Sequence, residues 1–78
     1  MPTEQERVIL EILYHAERTG QSIGLDKILL EAQKRKVKLT QPQVRKLLSR
    51  LEENGYVIVT RGRGGSSITK KGVDWITN

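Results

Sequence analysis

The side chains in this chain with chemistry to offer are mainly cations and amides, and they gather in its second half. Residues 34–78 hold 11 Lys and Arg against Glu52, Glu53 and Asp74, a net of +8, whereas residues 1–33 carry a net of −3 and the whole chain +5. Thr40, Gln41, Gln43, Arg45, Lys46, Ser49 and Arg50 crowd into one short stretch, Arg61 and Arg63 stand among glycines, and Lys70 follows. Guanidinium and ammonium groups donate to guanine O6 and N7, a glutamine amide matches adenine N6 and N7, and hydroxyls serve phosphate or either base edge. An acidic half joined to a basic half suggests one face turned toward a polyanion and another turned away from it. The plain alternative is a solvated basic surface, which ordinary proteins also carry.

Nucleophilic, metal and redox chemistry have little to draw on. There is no Cys, and the one histidine, His15, stands among Glu11, Tyr14 and Arg18 without a convergent partner. Gly62-Arg63-Gly64-Gly65 fails as a dinucleotide fingerprint because Ser67 stands where the third glycine belongs, and as a P-loop because no Gly-Lys-Ser/Thr closes it. No enzymatic centre, cofactor, metal or small-molecule ligand is therefore expected. The start Met1-Pro2-Thr3-Glu4 is polar, and the runs Val8-Ile9-Leu10 and Tyr56-Val57-Ile58-Val59 are too short for a signal peptide or a membrane span. The expectation is a soluble cytoplasmic protein.

Several elements must hold those cations in place. Ile9, Ile12, Leu13 and Ala16 share a helical face, with Val8 at its margin, predicting a helix from about Thr3 to Arg18. Leu25, Ile28, Leu29 and Ala32 repeat the spacing and predict a second from about Gly24 to Arg35, its end blurred by Lys34-Arg35-Lys36. A third is better marked: Thr40 and Gln43 have capping-box spacing, Pro42 sits in the first turn, and Gly55 is a fitting stop. Val44, Leu47, Leu48 and Leu51 make its apolar stripe, leaving Arg45, Lys46, Ser49, Arg50 and Glu53 on the other side. Residues 56–60 then read as a strand, Arg61-Gly62-Arg63-Gly64-Gly65 as a break, residues 66–69 as a returning strand, and Thr69 as the cap of a short helix through Ile76. With no Phe, one Trp and two Tyr, the core falls to Ile, Leu and Val, so stability should be modest. No repeat and no linker divides the chain, and one domain over residues 1–78 is expected.

Three helices, a two-stranded wing and a short C-terminal helix resemble the winged helix-turn-helix superfamily, in its small repressor-type domains, over roughly residues 5–76. The segment Leu47-Leu48-Ser49-Arg50-Leu51-Glu52-Glu53-Asn54-Gly55-Tyr56-Val57 is similar to the superfamily's passage from recognition helix to wing. Ile68-Thr69-Lys70-Lys71-Gly72 is similar to the L-T-x-K-G passage of multiple-antibiotic-resistance and phenolic-acid repressors, with Ile68 in place of Leu. Those repressors are longer and carry extra dimerisation helices that this chain lacks. The resemblance implies a mainly α fold with a small β-hairpin and sequence-specific binding of double-stranded DNA by a transcription regulator. Gln41 to Arg50 would enter the major groove, and Arg61 and Arg63 on the wing would meet the backbone or minor groove. Lys34, Arg35, Lys36 and Lys38 would flank the groove at phosphates, or simply form a solvated helix end where cations favour the dipole.

The rival expectation is a winged helix that binds protein instead, since the fold hosts several functions. Leu10 and Tyr14 lie off the core stripe of the first helix and would join Trp75 in a second apolar patch, a candidate homodimer surface, unless Trp75 folds back over them. RNA is a weaker candidate because no aromatic platform for stacking unpaired bases is evident.

Overall fold

The computed structural model describes residues 3–18, 23–60 and 65–77. Helix α1 spans Glu4–Arg18 and begins where Thr3 can cap it. The Thr3 hydroxyl accepts from the Glu6 N–H and donates to the Glu6 carboxylate, both at 3.2 Å. Glu6 is thus buried at the end of the helix where the backbone dipole favours an anion. Helix α2 spans Leu25–Lys34 with Gly24 as its N-cap. Helix α3 spans Gln41–Glu53 and has the predicted capping box: Thr40 Oγ1 accepts from Gln43 N–H at 3.4 Å, and Gln43 Oε1 accepts from Thr40 N–H at 2.9 Å.

Strands β1 (Val57–Thr60) and β2 (Gly65–Ile68) pair antiparallel, with Val57 opposite Ile68 and Thr60 opposite Gly65. The hairpin is wider than its sequence suggests. Ile23 adds a one-residue bridge to Ser66, each backbone N–H donating to the other's carbonyl at 3.3 and 2.8 Å. A single residue leaves no periodicity, so nothing in the sequence announces it. Gly65 is the residue that permits it: its φ is +70°, and a Cβ there would lie 2.6 Å from the Ile23 carbonyl oxygen. Helix α4 (Lys70–Thr77) closes the described chain, capped as expected by Thr69, whose Oγ1 accepts from Gly72 N–H at 3.2 Å.

The core is aliphatic, with Ile9, Leu10, Leu13, Ile28, Val44 and Leu51 fully buried between α1, α2, α3 and the hairpin. One expectation is corrected here. Leu10 is not part of an outer patch but 0% exposed in the core cluster. Trp75 is half-buried against the core, its ring meeting that of Tyr56 edge-on at 6.4 Å and the Arg7 guanidinium lying 5.7 Å from its centroid. Tyr14 is half-buried, with the Arg18 guanidinium 6.0 Å from its ring. Four helices and a two-stranded hairpin in this order form a winged helix. No helix among the described residues is long and apolar enough to cross a membrane.

Candidate nucleic-acid interface

What sets α3 at a fixed angle to the wing is the turn after it. The carbonyls of residues 54, 55 and 56 are each taken by the segment that follows β2. Lys71 Nζ donates to Asn54 O at 2.7 Å, Thr69 Oγ1 to Gly55 O at 2.6 Å, and Thr69 N–H to Tyr56 O at 3.0 Å. The Lys71 ammonium also lies 4.9 Å from the centroid of the Tyr56 ring. Gly72 completes the contact, since a Cβ there would collide with the Tyr56 carbonyl oxygen and the Ile68 side chain. The two sequence passages that resemble the repressor signature are therefore one hydrogen-bonded unit. On the other side, Glu52 Oε2 accepts from Val59 N–H at 3.3 Å and ties α3 to the outer edge of β1.

With its angle fixed, α3 buries Val44, Leu47, Leu48 and Leu51 and exposes Arg45, Lys46, Ser49 and Arg50. The ion pairs among the described residues are Arg7 with Glu11 at 3.3 Å, Lys34 with Glu31 at 3.1 Å and Arg35 with Glu31 at 3.5 Å. Every one is on α1 or at the end of α2. None of the α3 cations takes part in these pairs. Lys36, Lys38 and Lys70 are likewise exposed and outside these pairs.

The other residues expected at the site divide by what already holds them. Thr40 and the Gln43 carbonyl oxygen serve the cap of α3. Gln41 Nε2 donates to Asp26 Oδ1 at 3.2 Å and so braces the start of α3 against the start of α2. Lys34 and Arg35, considered as flanking phosphate contacts, are both committed to Glu31. The Lys34 hydrogen bond, aided by the charges of Lys27 and Arg35, holds the Glu31 carboxyl below the usual carboxylate range. Arg61 and Arg63 lie outside the described residues. His15 is exposed on α1 with its ring 6.0 Å from that of Tyr14, and no group of three or more His, Cys, Asp or Glu among the described residues could hold a metal ion.

A groove of about 430 Å³ opens beside this face, between the start of α2, α3 and the hairpin, with Gly24, Leu25, Arg45, Val59 and Ser66 in its wall. Ser66 is the residue sequence reasoning passed over, as strand filler. It shares the inner face of β2 with Ile68, and its backbone bridges Ile23.

The model of the ribonuclease R winged-helix domain family matches residues 9–76. No curated protein and no solved structure matches the chain.

Proposed function

The chain belongs to the ribonuclease R winged-helix domain family, and from that premise we propose that it binds double-stranded DNA, with α3 in the major groove and the wing at the backbone. The observation that carries this reading is the contrast in charge. Arg7 on α1 and Lys34 and Arg35 at the end of α2 are ion-paired with Glu11 and Glu31, whereas Arg45, Lys46 and Arg50 project together from α3 outside these pairs. A B-form major groove admits a helix, and an A-form one does not. Single-stranded RNA is bound largely by stacking on exposed aromatic rings. Tyr14, Tyr56 and Trp75 are all half-buried against the core, which favours duplex DNA over RNA.

Sequence preference belongs to the proposal, because the exposed cations stand on a helix that can reach base edges, and a preference of that kind fits a transcription regulator. One copy would read one half-site, and two paired copies would read a pseudo-palindrome about one helical turn, roughly 34–36 Å, from centre to centre. The test is selection of bound duplexes from a random pool, followed by affinity measurement across salt. Each phosphate neutralised adds about −0.9 to the slope of log K against log salt. Enrichment of one motif with a steep slope is expected, and a flat salt response would overturn the reading.

A further inference from the structure

The start of α3 presents two glutamines, and the structure uses them differently. Gln43 Oε1 accepts from Thr40 N–H at 2.9 Å and is taken up by the capping box. Gln41, the first residue of α3, is exposed, and its Nε2 donates to Oδ1 of Asp26, the second residue of α2, at 3.2 Å. The chemistry of that contact is one-sided. An ionised carboxylate only accepts, so the amide can meet Asp26 with its NH2 end and not with its oxygen. Asp26 therefore fixes which end of the amide is which, and leaves the second N–H and Oε1 side by side as a donor–acceptor pair. That pair is complementary to adenine N7 and N6. Asp26 is also exposed, and it stands outside the ion pairs that Glu11 and Glu31 make. An anion at the start of α2, bonded to the helix that carries Arg45, Lys46 and Arg50, weakens the attraction of every polyanion alike. The loss falls on all duplexes, and the gain only on those with adenine in reach of Gln41.

We propose that Asp26 is a specificity-determining residue, a positioning group that orients the Gln41 amide for one adenine and disfavours duplexes without it. Asp26 touches no base itself. The inference rests on the duplex-binding reading and deepens it, since base reading then begins at the first residue of α3 and is set in part from α2.

The test compares the full chain with Asp26→Ala, Asp26→Asn, Gln41→Ala and the double variant Asp26→Ala, Gln41→Ala. Affinity is measured at fixed salt on the preferred duplex, on duplexes with each base pair replaced singly, and on an unrelated duplex. The wild-type chain should discriminate about tenfold at one A·T pair, the scale of a bidentate amide contact, and Gln41→Ala should remove that discrimination. Asp26→Ala should lose most of it at the same pair while binding the unrelated duplex more tightly. The double variant should discriminate no less than Gln41→Ala alone, because the two residues act as one unit. Asp26→Asn keeps an acceptor without the charge, so it should bind the unrelated duplex as Asp26→Ala does and retain part of the discrimination. A purely structural brace would lower affinity for every duplex by one factor, and simple repulsion would raise it by one factor in both Asp26 variants. Either result, with discrimination intact, overturns the assignment. Duplex binding with no discrimination that depends on Gln41 also overturns it and leaves duplex binding standing. Absence of any duplex binding by the wild-type chain overturns the reading beneath it instead.

Discussion

Lys46 and Arg50 sit one turn apart on α3, both exposed and both free of the ion pairs found elsewhere in the molecule. Replacing either by Ala should cost about 1–3 kcal/mol on the preferred duplex and relax preference at one base position. The free protein's melting temperature should barely move, because exposed substitutions usually shift stability by less than about 0.5 kcal/mol. Affinity on matched and single-substituted duplexes separates this from a phosphate contact, whose loss weakens all sequences alike. Gly72 behaves oppositely. A Cβ there meets the Tyr56 carbonyl oxygen and the Ile68 side chain, so Gly72→Ala should lower stability by about 1–3 kcal/mol through overpacking, read by urea unfolding. At this scale the sequence is legible where a residue's role is local. Thr40 and Gln43 announce their cap by spacing, and Glu31 with Lys34 and Arg35 stands at ion-pair spacing too, a signal that argues against those two cations as phosphate contacts. It is illegible where the role depends on a distant element, as for the brace from Gln41 on α3 to Asp26 on α2.

The ends of α2 and α3 show why one helix boundary is plain in the sequence and the other blurred. Both close with the same backbone pattern. After α3, Gly55 N–H donates to Glu52 O and Tyr56 N–H to Leu51 O, at 3.0 and 2.9 Å. After α2, Lys36 N–H donates to Gln33 O and Val37 N–H to Ala32 O, both at 2.9 Å. The difference is the residue in the left-handed conformation, Gly55 at φ +79° against Lys36 at φ +62°. Glycine marks that position at no steric cost, whereas a lysine there carries a penalty of about 1–2 kcal/mol and hides the boundary inside a basic run. Lys36→Gly should therefore stabilise the protein by about 1 kcal/mol, less the greater entropy glycine brings to the unfolded chain, as a rise in urea midpoint with unchanged slope. If the midpoint falls, the left-handed turn at Lys36 is not the strained position its φ indicates. The hairpin was readable from its β-branched run and glycines, but its third member, Ile23, was not, because one residue has no pattern.

The whole molecule is a small aliphatic core with its charge divided between two faces. Glu4 and Glu17 are exposed and Glu11 half-exposed on α1, which packs on the hairpin and the other helices, while Arg45, Lys46 and Arg50 stand exposed on α3. A duplex docked on α3 meets the positive side first, and the acidic helix does not have to be desolvated. A domain this size has little stability of its own, so a ligand that binds only the folded state should stabilise it visibly. At a duplex concentration 100 times Kd the gain is about 2.7 kcal/mol, and at about 4–8 °C per kcal/mol for a domain of this length the melting temperature should rise by about 10–20 °C. Because affinity falls steeply with salt, raising salt from 50 to 200 mM should remove most of that rise while leaving the free protein's melting temperature nearly unchanged. The triple variant Arg45→Ala, Lys46→Ala, Arg50→Ala should melt like the wild-type chain alone and gain nothing from the duplex, since none of the three is buried. A duplex-dependent rise that survives in the triple variant would place the interface on some other face of the molecule.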